Sequence, residues 1–552
     1  MNKKRRGFLD GWDIITLACF AFFLFFFIYP ISRIFVNSVY DFETGAFSLQ
    51  PFVEFFSKKY YTNTIINSFK VTTAATLTTA VAGTALAYIS RTISIRGKGL
   101  LDIAMIISVL SPPFIGAYSW IVLLGRAGVV TKLINHIPGV QFEGIYGFAG
   151  ILLVFSVKLS PLVYLYVSGA LKNMDNSLNE VAENLGCVGL KKIWQVVLPL
   201  ILPTLLASAL LVFMRALADF GTPMLIGEGY RTLPVLIYNA FIGEVSQDYS
   251  FAAAISVVVV IFTTIIFVAQ KYVANRKTIE MSALRPMEPR KAKGAKNIFA
   301  HAYCYLFIVL ALLPIGVVTY NSFQNTSGTL FVEGYSLNSY KQALGKMGSA
   351  IVNTYSFSTI ALLIILVLGI LVSYVSVRRP SKMTAVLDAM TMFPYIIPGS
   401  VLGIAMLLAF NKKPFLLSGT AIIIIAAYVV RRLPYTIRSS SAILRQISPS
   451  VEEAAQSLGA NGFKTFFTVT LPMMFSGVLP GALMSWMSII SELSASIMLY
   501  VGGTKTMTIA IYTEVIRGNY GVASALSTIL VASTILVLMI FFKLTGQREI
   551  EL

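Results

Sequence analysis

The chain has 552 residues, of which 56% are hydrophobic and 12% are charged. Soluble domains carry roughly 25% charged residues, and a single water-soluble core could not bury this much apolar surface, so the composition indicates a protein solvated by the lipid bilayer. The formal net charge of +19 does not favour nucleic acid as a partner, because no basic patch is interleaved with exposed aromatic residues.

Apolar segments of roughly 20 residues, the length that crosses a bilayer, recur along the whole chain. The first follows a basic stretch, is rich in phenylalanine and lacks a small-residue cleavage site, so we predict a retained anchor. The predicted spans, about twelve in number, are 13–34, 64–90, 100–124, 146–168, 200–222, 250–271, 298–320, 351–377, 384–410, 419–435, 474–494 and 521–543. Lys and Arg concentrate in alternate connecting segments, and the positive-inside rule then places both termini in the cytoplasm.

The second half of the sequence repeats the first. Matched positions lie at a constant separation along the chain, and they are Ser177 with Ser450, Glu180 with Glu453, Gly186 with Gly459, Pro199 with Pro472, and Asp219 with Glu492. Because six spans make an even number, the two halves have the same orientation in the membrane. We therefore predict an all-α polytopic membrane protein of two parallel six-helix repeats, residues 1–274 and 298–552, joined by a basic cytoplasmic linker at 275–297.

Each half carries one mostly polar segment between its fourth and fifth predicted spans, at 177–199 and at 450–472, which we call the first and second elbow. Each begins with a serine three residues before a glutamate, the spacing of a capping box. Each then reaches a glycine, which is typical of a helix end in the left-handed conformation. A second amphipathic helix is predicted to end at the Leu-Pro that begins the next span. One such segment could simply lie on lipid, but two at matched positions favour docking of a two-fold partner.

The elbow residues resemble the "EAA" loop of permeases of ATP-binding-cassette (ABC) importers. The first copy departs from the pattern by Val181 in place of alanine. The repeat extends the resemblance over nearly the whole chain, to the fused permeases of the ferric-iron type and to a type I importer fold. In that family the loop docks on the ATPase, and the resemblance implies this coupling role for Glu180, Ala182, Gly186, Leu198, Pro199, Glu453, Ala454, Ala455, Gly459, Leu471 and Pro472.

The resemblance also implies partners that the chain itself lacks. No GxxxxGK[ST] phosphate-binding loop occurs, so two copies of a separate ATPase subunit are expected. No external segment is long enough to capture a solute, so an extracytoplasmic binding protein is expected as well. His136 and His301 are the only histidines and the three cysteines have no ligand spacing, so we predict no metal site, no cofactor and no catalytic residues.

Three ionisable residues within predicted spans are singled out as candidates for a translocation pathway: Arg215, Asp219 and Glu492. Arg215 and Asp219 are four apart and would share one helix face. Charged residues in spans usually pair and face a bundle interior or a wet cavity. The alternatives are an Arg–Asp pair that serves packing and a set of groups that lines the pathway. Lys70 and Lys158 are interpreted as snorkelling or packing residues.

The favoured function is the permease subunit of an ABC importer in a bacterial inner membrane, with no enzymatic activity of its own. Ferric iron is one solute that the resemblance allows, and thiamine, phosphonate, sugar phosphate and polyamine are others. An ion-coupled secondary transporter is the alternative class, since parallel repeats also occur there, and a membrane scaffold is a weaker one.

Overall fold

The computed structural model describes residues 10–41, 45–111, 113–242, 248–276, 287–328 and 330–545. In this part of the chain the structure is almost entirely helical, which confirms the all-α prediction. The α-helices in chain order are α1 (Gly11–Phe23), α2 (Tyr29–Val39), α3 (Gln50–Ser57), α4 (Lys59–Thr92), α5 (Lys98–Leu110), α6 (Pro113–Leu124), α7 (Val129–Asn135), α8 (Gly147–Lys172), α9 (Ser177–Asn184), α10 (Gly189–Lys192), α11 (Leu198–Leu217), α12 (Gly221–Ile226), α13 (Leu233–Ile242), α14 (Tyr249–Arg276), α15 (Ala295–Phe323), α16 (Asn338–Arg378), α17 (Lys382–Ile396), α18 (Gly399–Phe410), α19 (Ala421–Gln446), α20 (Pro449–Ser457), α21 (Gly462–Thr465), α22 (Leu471–Ile490), α23 (Ser496–Leu499), α24 (Met507–Ile516) and α25 (Tyr520–Thr545).

Two short hairpins and four helical turns that are not α-helical complete the described secondary structure. Two antiparallel hairpins pair β1 (Tyr40–Asp41) with β2 (Ala46–Phe47) and β3 (Gln324–Ser327) with β4 (Leu330–Tyr335). One turn is 3₁₀-helical, at Gly502–Thr504. Three turns are π-helical and join consecutive α-helices: Leu24–Ile28, Ile193–Val197 and Phe466–Thr470.

Nine helices of the described residues are long and apolar enough to cross a membrane, and a bent pair brings the total to as many as ten. The bent pair is α17 and α18, which meet at 113°. Two predicted spans, 64–90 and 419–435, fall on α4 and α19, which are long helices but too polar to qualify. The structure thus establishes a polytopic membrane protein, and the number of about twelve spans stays a prediction.

The second part of each elbow differs from the prediction. We expected a separate amphipathic helix followed by a proline at the start of the next span. Instead α10 runs through its π-turn into α11, as one helix from Gly189 to Leu217, and the second elbow does the same from Gly462 to Ile490. Proline lacks the N–H of a regular helical bond and its ring clashes with the carbonyl four residues back. The wide turn that precedes Pro199 and Pro472 accommodates the ring without breaking the helix. Each elbow is therefore a short helix attached to a rigid extension of the fifth span of its half.

The two halves exchange their first helices. One buried cluster joins α4, α5, α8 and α11 of the first half to α15 of the second. The other joins the helices of the second half to α1, α2, α13 and α14 of the first. The described end of the linker belongs to this exchange, because Arg290 bonds through its backbone to Thr92 at 2.9 Å and to Ser94 at 3.0 Å. Linker residues 277–286 lie outside the described residues. The predicted domain boundaries stay predictions.

Candidate functional site

The two elbow helices, α9 and α20, end in the same hydrogen-bonded turn. Gly186 has φ +76° and Gly459 has φ +90°, which confirms the left-handed helix ends. The N–H after each glycine bonds a carbonyl five residues back, Cys187 to Ala182 at 2.8 Å and Ala460 to Ala455 at 3.1 Å. These are Schellman turns. The alanines of the motif are thus the carbonyl acceptors that close each elbow.

The capping boxes predicted for the elbows are wrong. Helix α9 begins after Asn176, whose side-chain amide donates to Glu180 at 3.0 Å. Helix α20 begins two residues earlier than expected, with Ser448 instead of Ser450 as its cap, and its first residue is a proline. A capping box needs the glutamate three residues after the cap. Glu453 is five residues after Ser448 and therefore cannot form one. Both Glu180 and Glu453 are exposed.

Different ion pairs hold the two elbows in place. In the second elbow Glu452 is buried and accepts hydrogen bonds from Arg378 at 2.9 Å and from the Tyr374 hydroxyl at 3.2 Å. In the first elbow the matched residue is Asn179, and the ion pair is instead between Glu183 and Lys192 at 2.6 Å. The hydrogen bond from Lys192 lowers the pKa of the Glu183 carboxyl below its usual range. The second elbow is therefore fastened to α16, whereas the first is fastened to its own extension.

Both elbows expose apolar side chains away from the helix bundle. The first exposes Leu185 by 81% and Trp194 by 68% of their surfaces, and the second exposes Leu458 by 90% and Phe467 by 60%. Leu185 and Leu458 each directly precede the turn glycine. Exposed apolar patches at repeat-matched positions are typical of an interface.

A cavity of about 190 Å³ lies between the two halves and brings together all three predicted pathway residues. Arg215, Asp219 and Glu492 line it, although they come from opposite halves of the sequence. The cavity is formed where α11 and α22 end, at Leu217 and Ile490, together with α8, α17 and α19.

Each half contributes one repeat-related ion pair to the lining of this cavity. Lys158 bonds Asp219 at 2.7 Å, and Arg431 bonds Glu492. In both pairs the partners are 61 residues apart. Each carboxylate also accepts a backbone N–H three residues on, Asp219 from Thr222 at 2.9 Å and Glu492 from Ala495 at 3.2 Å. Each therefore stabilises the chain reversal that follows its helix, as an N-cap residue does.

One prediction about these charges is wrong. Asp219 does not share a helix face with Arg215, because α11 ends at Leu217 and the chain turns away before Asp219. Asp219 pairs with Lys158 instead, so of the two roles expected for Lys158 the structure favours helix packing over snorkelling. Arg215 lies close to three tyrosines, Tyr435, Tyr395 and Tyr166.

Sequence reasoning missed four residues of this cavity. Arg431 and Arg432 fall in the predicted span 419–435 but were not singled out, yet both bond the buried carboxylate of Glu492. Tyr395 and Tyr435 were not distinguished from other aromatic residues. The signal that could have found Arg431 was the repeat, since it matches Lys158 at the same separation that matches Glu492 with Asp219.

Nearly the whole cavity lining is made of such matched positions. The matched lining pairs are Lys158 with Arg431, Leu159 with Arg432, Leu162 with Tyr435, Leu211 with Met484, Met214 with Met487, Arg215 with Ser488, Ala218 with Ser491, Asp219 with Glu492, and Gly221 with Ser494. A cavity lined by both copies of each position lies on the pseudo-two-fold axis that relates the repeats. In parallel repeats that axis runs along the membrane normal.

A repeated helical bundle with a charged cavity on its axis and two matched elbows at one end defines a membrane transport protein. The chain belongs to the family described as the binding-protein-dependent transport system inner membrane component, which matches it twice, at residues 79–279 and 365–550. It is 28% identical to the ferric transport system permease protein FbpB of Actinobacillus pleuropneumoniae, over 98% of this chain and 79% of that protein. It is also 28% identical to a putative FbpB of Haemophilus influenzae, over 90% of this chain and 79% of that protein. A putative 2-aminoethylphosphonate transport permease of Salmonella choleraesuis is 29% identical over 46% of this chain and 95% of its own length.

The double match decides between the classes that the sequence left open. The chain is the membrane-spanning permease subunit of an ABC importer, not an ion-coupled carrier or a scaffold. The short phosphonate relative covers one repeat, so this chain corresponds to two such permeases fused into one.

Proposed function

We propose that the cavity is the passage of the importer and that the elbows seat two copies of an ABC ATPase subunit. The supporting observation is the two-fold matching of both features: the cavity lies on the repeat axis, and the elbows end in the same turn with the same exposed leucine. A solute released by an extracytoplasmic binding protein would enter the cavity from the outer side, and both termini would lie in the cytoplasm.

We propose ferric iron as the first candidate solute. Permeases named for ferric transport align with nearly the whole chain, whereas permeases named for 2-aminoethylphosphonate align with one half. A phosphonate is the second candidate, because the cavity carries more basic than acidic side chains.

The docking role is tested by valine substitutions at the two turn glycines. No atom lies within 4 Å of a Cβ built at Gly186 or Gly459, so the cost comes from the left-handed backbone alone, about 1–2 kcal/mol. Gly345→Val is the matched control, because this glycine is helical, exposed and equally free of neighbours. The measurement is co-purification of the ATPase subunit with each variant, together with ATP hydrolysis in proteoliposomes.

We expect Gly186→Val and Gly459→Val to weaken ATPase association while the permease still inserts, and Gly345→Val to behave as the unsubstituted protein. Glu180→Lys and Glu453→Lys reverse exposed charges on the same helices and should act in the same direction. Normal association and coupled hydrolysis in all four elbow variants would refute the docking role.

A further inference from the structure

The repeat-related charges of the cavity neutralise each other. Lys158 with Asp219 and Arg431 with Glu492 make one ion pair in each half. These pairs occur in both halves, and their carboxylates also bond the backbone just after each helix. We therefore assign them a structural role and not a role in selectivity. Selectivity is carried by the positions at which the two halves differ.

The differences concentrate positive charge in one part of the cavity. Arg215 matches Ser488, and Arg432 matches Leu159. Arg432 shares the carboxylate of Glu492 with Arg431, and no carboxylate forms an ion pair with Arg215 among the described residues. Of the described charged residues that line the cavity, four are basic and two are acidic.

Two phenols accompany these arginines. Tyr395 and Tyr435 stand where the first half has Val109 and Leu162, and their rings are 5.6 Å apart at 82°. Arg215 lines the same cavity and lies close to both tyrosines. Guanidinium groups bind carboxylate and phosphate through paired N–H donors, and a phenol can add an O–H donor.

We infer that Arg215 and Arg432, with the hydroxyls of Tyr395 and Tyr435, form the solute-recognition site of this permease and that they recognise an oxyanion. The inference rests on the proposed role of the cavity as the passage. The oxyanion is either a free carboxylate or phosphonate or the ligand shell of a chelated ferric ion. A bare cation would meet the excess positive charge, and like charges repel strongly in a cavity of low dielectric. A volume of about 190 Å³ is many times the roughly 10–15 Å³ that one water molecule needs, so the cavity has room for a polyatomic anion.

The test measures the charge preference of a cysteine placed in the cavity. Ser491 lines the cavity and its hydroxyl bonds only carbonyls of its own helix, Met487 at 2.9 Å and Ser488 at 3.4 Å, so Ser491→Cys should be tolerated. Cys19, Cys187 and Cys304 are first replaced by serine. Thiol reagents of the same size, one anionic and one cationic, are then reacted with the permease in complex with its ATPase, and the two rates are compared.

We expect the anionic reagent to react faster. Arg215→Gln should lower the anionic-to-cationic ratio about thirtyfold, because a unit charge at about 4 Å in water changes each rate about fivefold and in opposite directions. Arg215→Lys should keep most of the ratio. Arg438→Gln is the control, because Arg438 lies on the same helix as Arg432 but is exposed and outside the cavity. The ratio of the anionic to the cationic rate at Ser491→Cys, with Arg215 intact, already tests the preference for anions without a substitution of Arg215.

Protection by added anions identifies the source of the oxyanion. We expect 2-aminoethylphosphonate, citrate or ferric citrate to slow labelling of the cysteine; protection by ferric citrate alone indicates a chelated ion, and protection by the phosphonate indicates a free anion. A ratio at or below one, a ratio unaffected by Arg215→Gln, or protection by none of the three overturns the inference while the passage still stands. A cysteine that reacts with neither reagent would overturn the passage as well.

Discussion

At the scale of single residues, the two carboxylates of the cavity lie just after the ends of long helices, where the chain changes direction. Asp219 and Glu492 each follow the last turn of a long helix and bond the backbone of the next short one. Because each helix ends before its carboxylate, the partner comes from another helix, Lys158 on α8 or Arg431 on α19. Each ion pair thus joins two helices that line the cavity.

The two carboxylates should differ in their contribution to stability. Glu492 is 3% exposed and serves two arginines, whereas Asp219 is 8% exposed and serves one lysine. Glu492→Gln leaves two partly buried guanidinium groups without a counter-charge, which should cost up to about 3–5 kcal/mol. Asp219→Asn should cost less. Thermal unfolding of the purified permease measures the difference.

The control for this comparison is Glu333→Gln, which changes an exposed carboxylate on β4 and should alter stability by less than about 0.5 kcal/mol. Equal losses for Glu492→Gln and Asp219→Asn would contradict the unequal burial of the two pairs.

The sequence identified the two carboxylates of the cavity but not the basic residues that pair with them. The repeat identified Asp219 and Glu492, because the sequence alone shows a carboxylate at both matched positions. The pairing with Lys158 was not visible, since it depends on α11 ending two residues before Asp219, and helix ends are poorly determined by a run of apolar residues. Arg432 and Tyr435 could not be found from the repeat, because the first half has leucine at both positions.

At the scale of secondary-structure elements, the elbows have the same turn but different anchors. The glycine turns were predictable, because a left-handed helix end favours glycine whatever surrounds it. The π-turns were not predictable, since their pattern of residues resembles that of an ordinary amphipathic helix. The anchors were not predictable either, because Glu452 and Arg378 are distant in sequence and meet only through packing of α20 on α16.

The unequal anchoring predicts that one elbow can be loosened alone. Arg378→Met removes the bonds to Glu452 and to the Ile447 carbonyl, which is at 2.7 Å. Amide hydrogen exchange should then rise in the second elbow, by about tenfold for each 1.4 kcal/mol lost, and stay unchanged in the first elbow. Exchange that rises equally in both elbows, or that Arg438→Gln reproduces, would contradict the anchor.

At the scale of the whole molecule, the exchange of first helices binds the halves together. Trp12 of α1 stacks on Phe463 of the second elbow at 4.7 Å, while Arg290 before α15 lies 3.7 Å from Glu183 of the first elbow. Each half therefore begins beside the elbow of the other half. Movement of one elbow would be transmitted to the opposite half through these contacts.

Arg290, at the described end of the linker, lies beside the first elbow. If the elbows dock on an ATPase as proposed, this end of the linker is cytoplasmic. Ala292 packs against the first half, so the exposed neighbour Lys293 is the better probe. With the native cysteines replaced, Lys293→Cys should resist an impermeant thiol reagent in intact cells and react after the cells are opened. Leu330→Cys, an exposed position on β4, is the control that should react in intact cells. Labelling of position 293 in intact cells would reverse the orientation.

The most direct test of the account is the side from which the cavity can be reached. Permease carrying Ser491→Cys is reconstituted with its ATPase, and an impermeant thiol reagent is applied to one face of the membrane at a time, with and without a non-hydrolysable ATP analogue. We expect labelling to switch from one face to the other when the nucleotide binds. The double substitution Gly186→Val and Gly459→Val should abolish this switch. Labelling from the same face in both conditions, or a switch that persists with both glycines replaced, would contradict a passage on the repeat axis driven through the elbows.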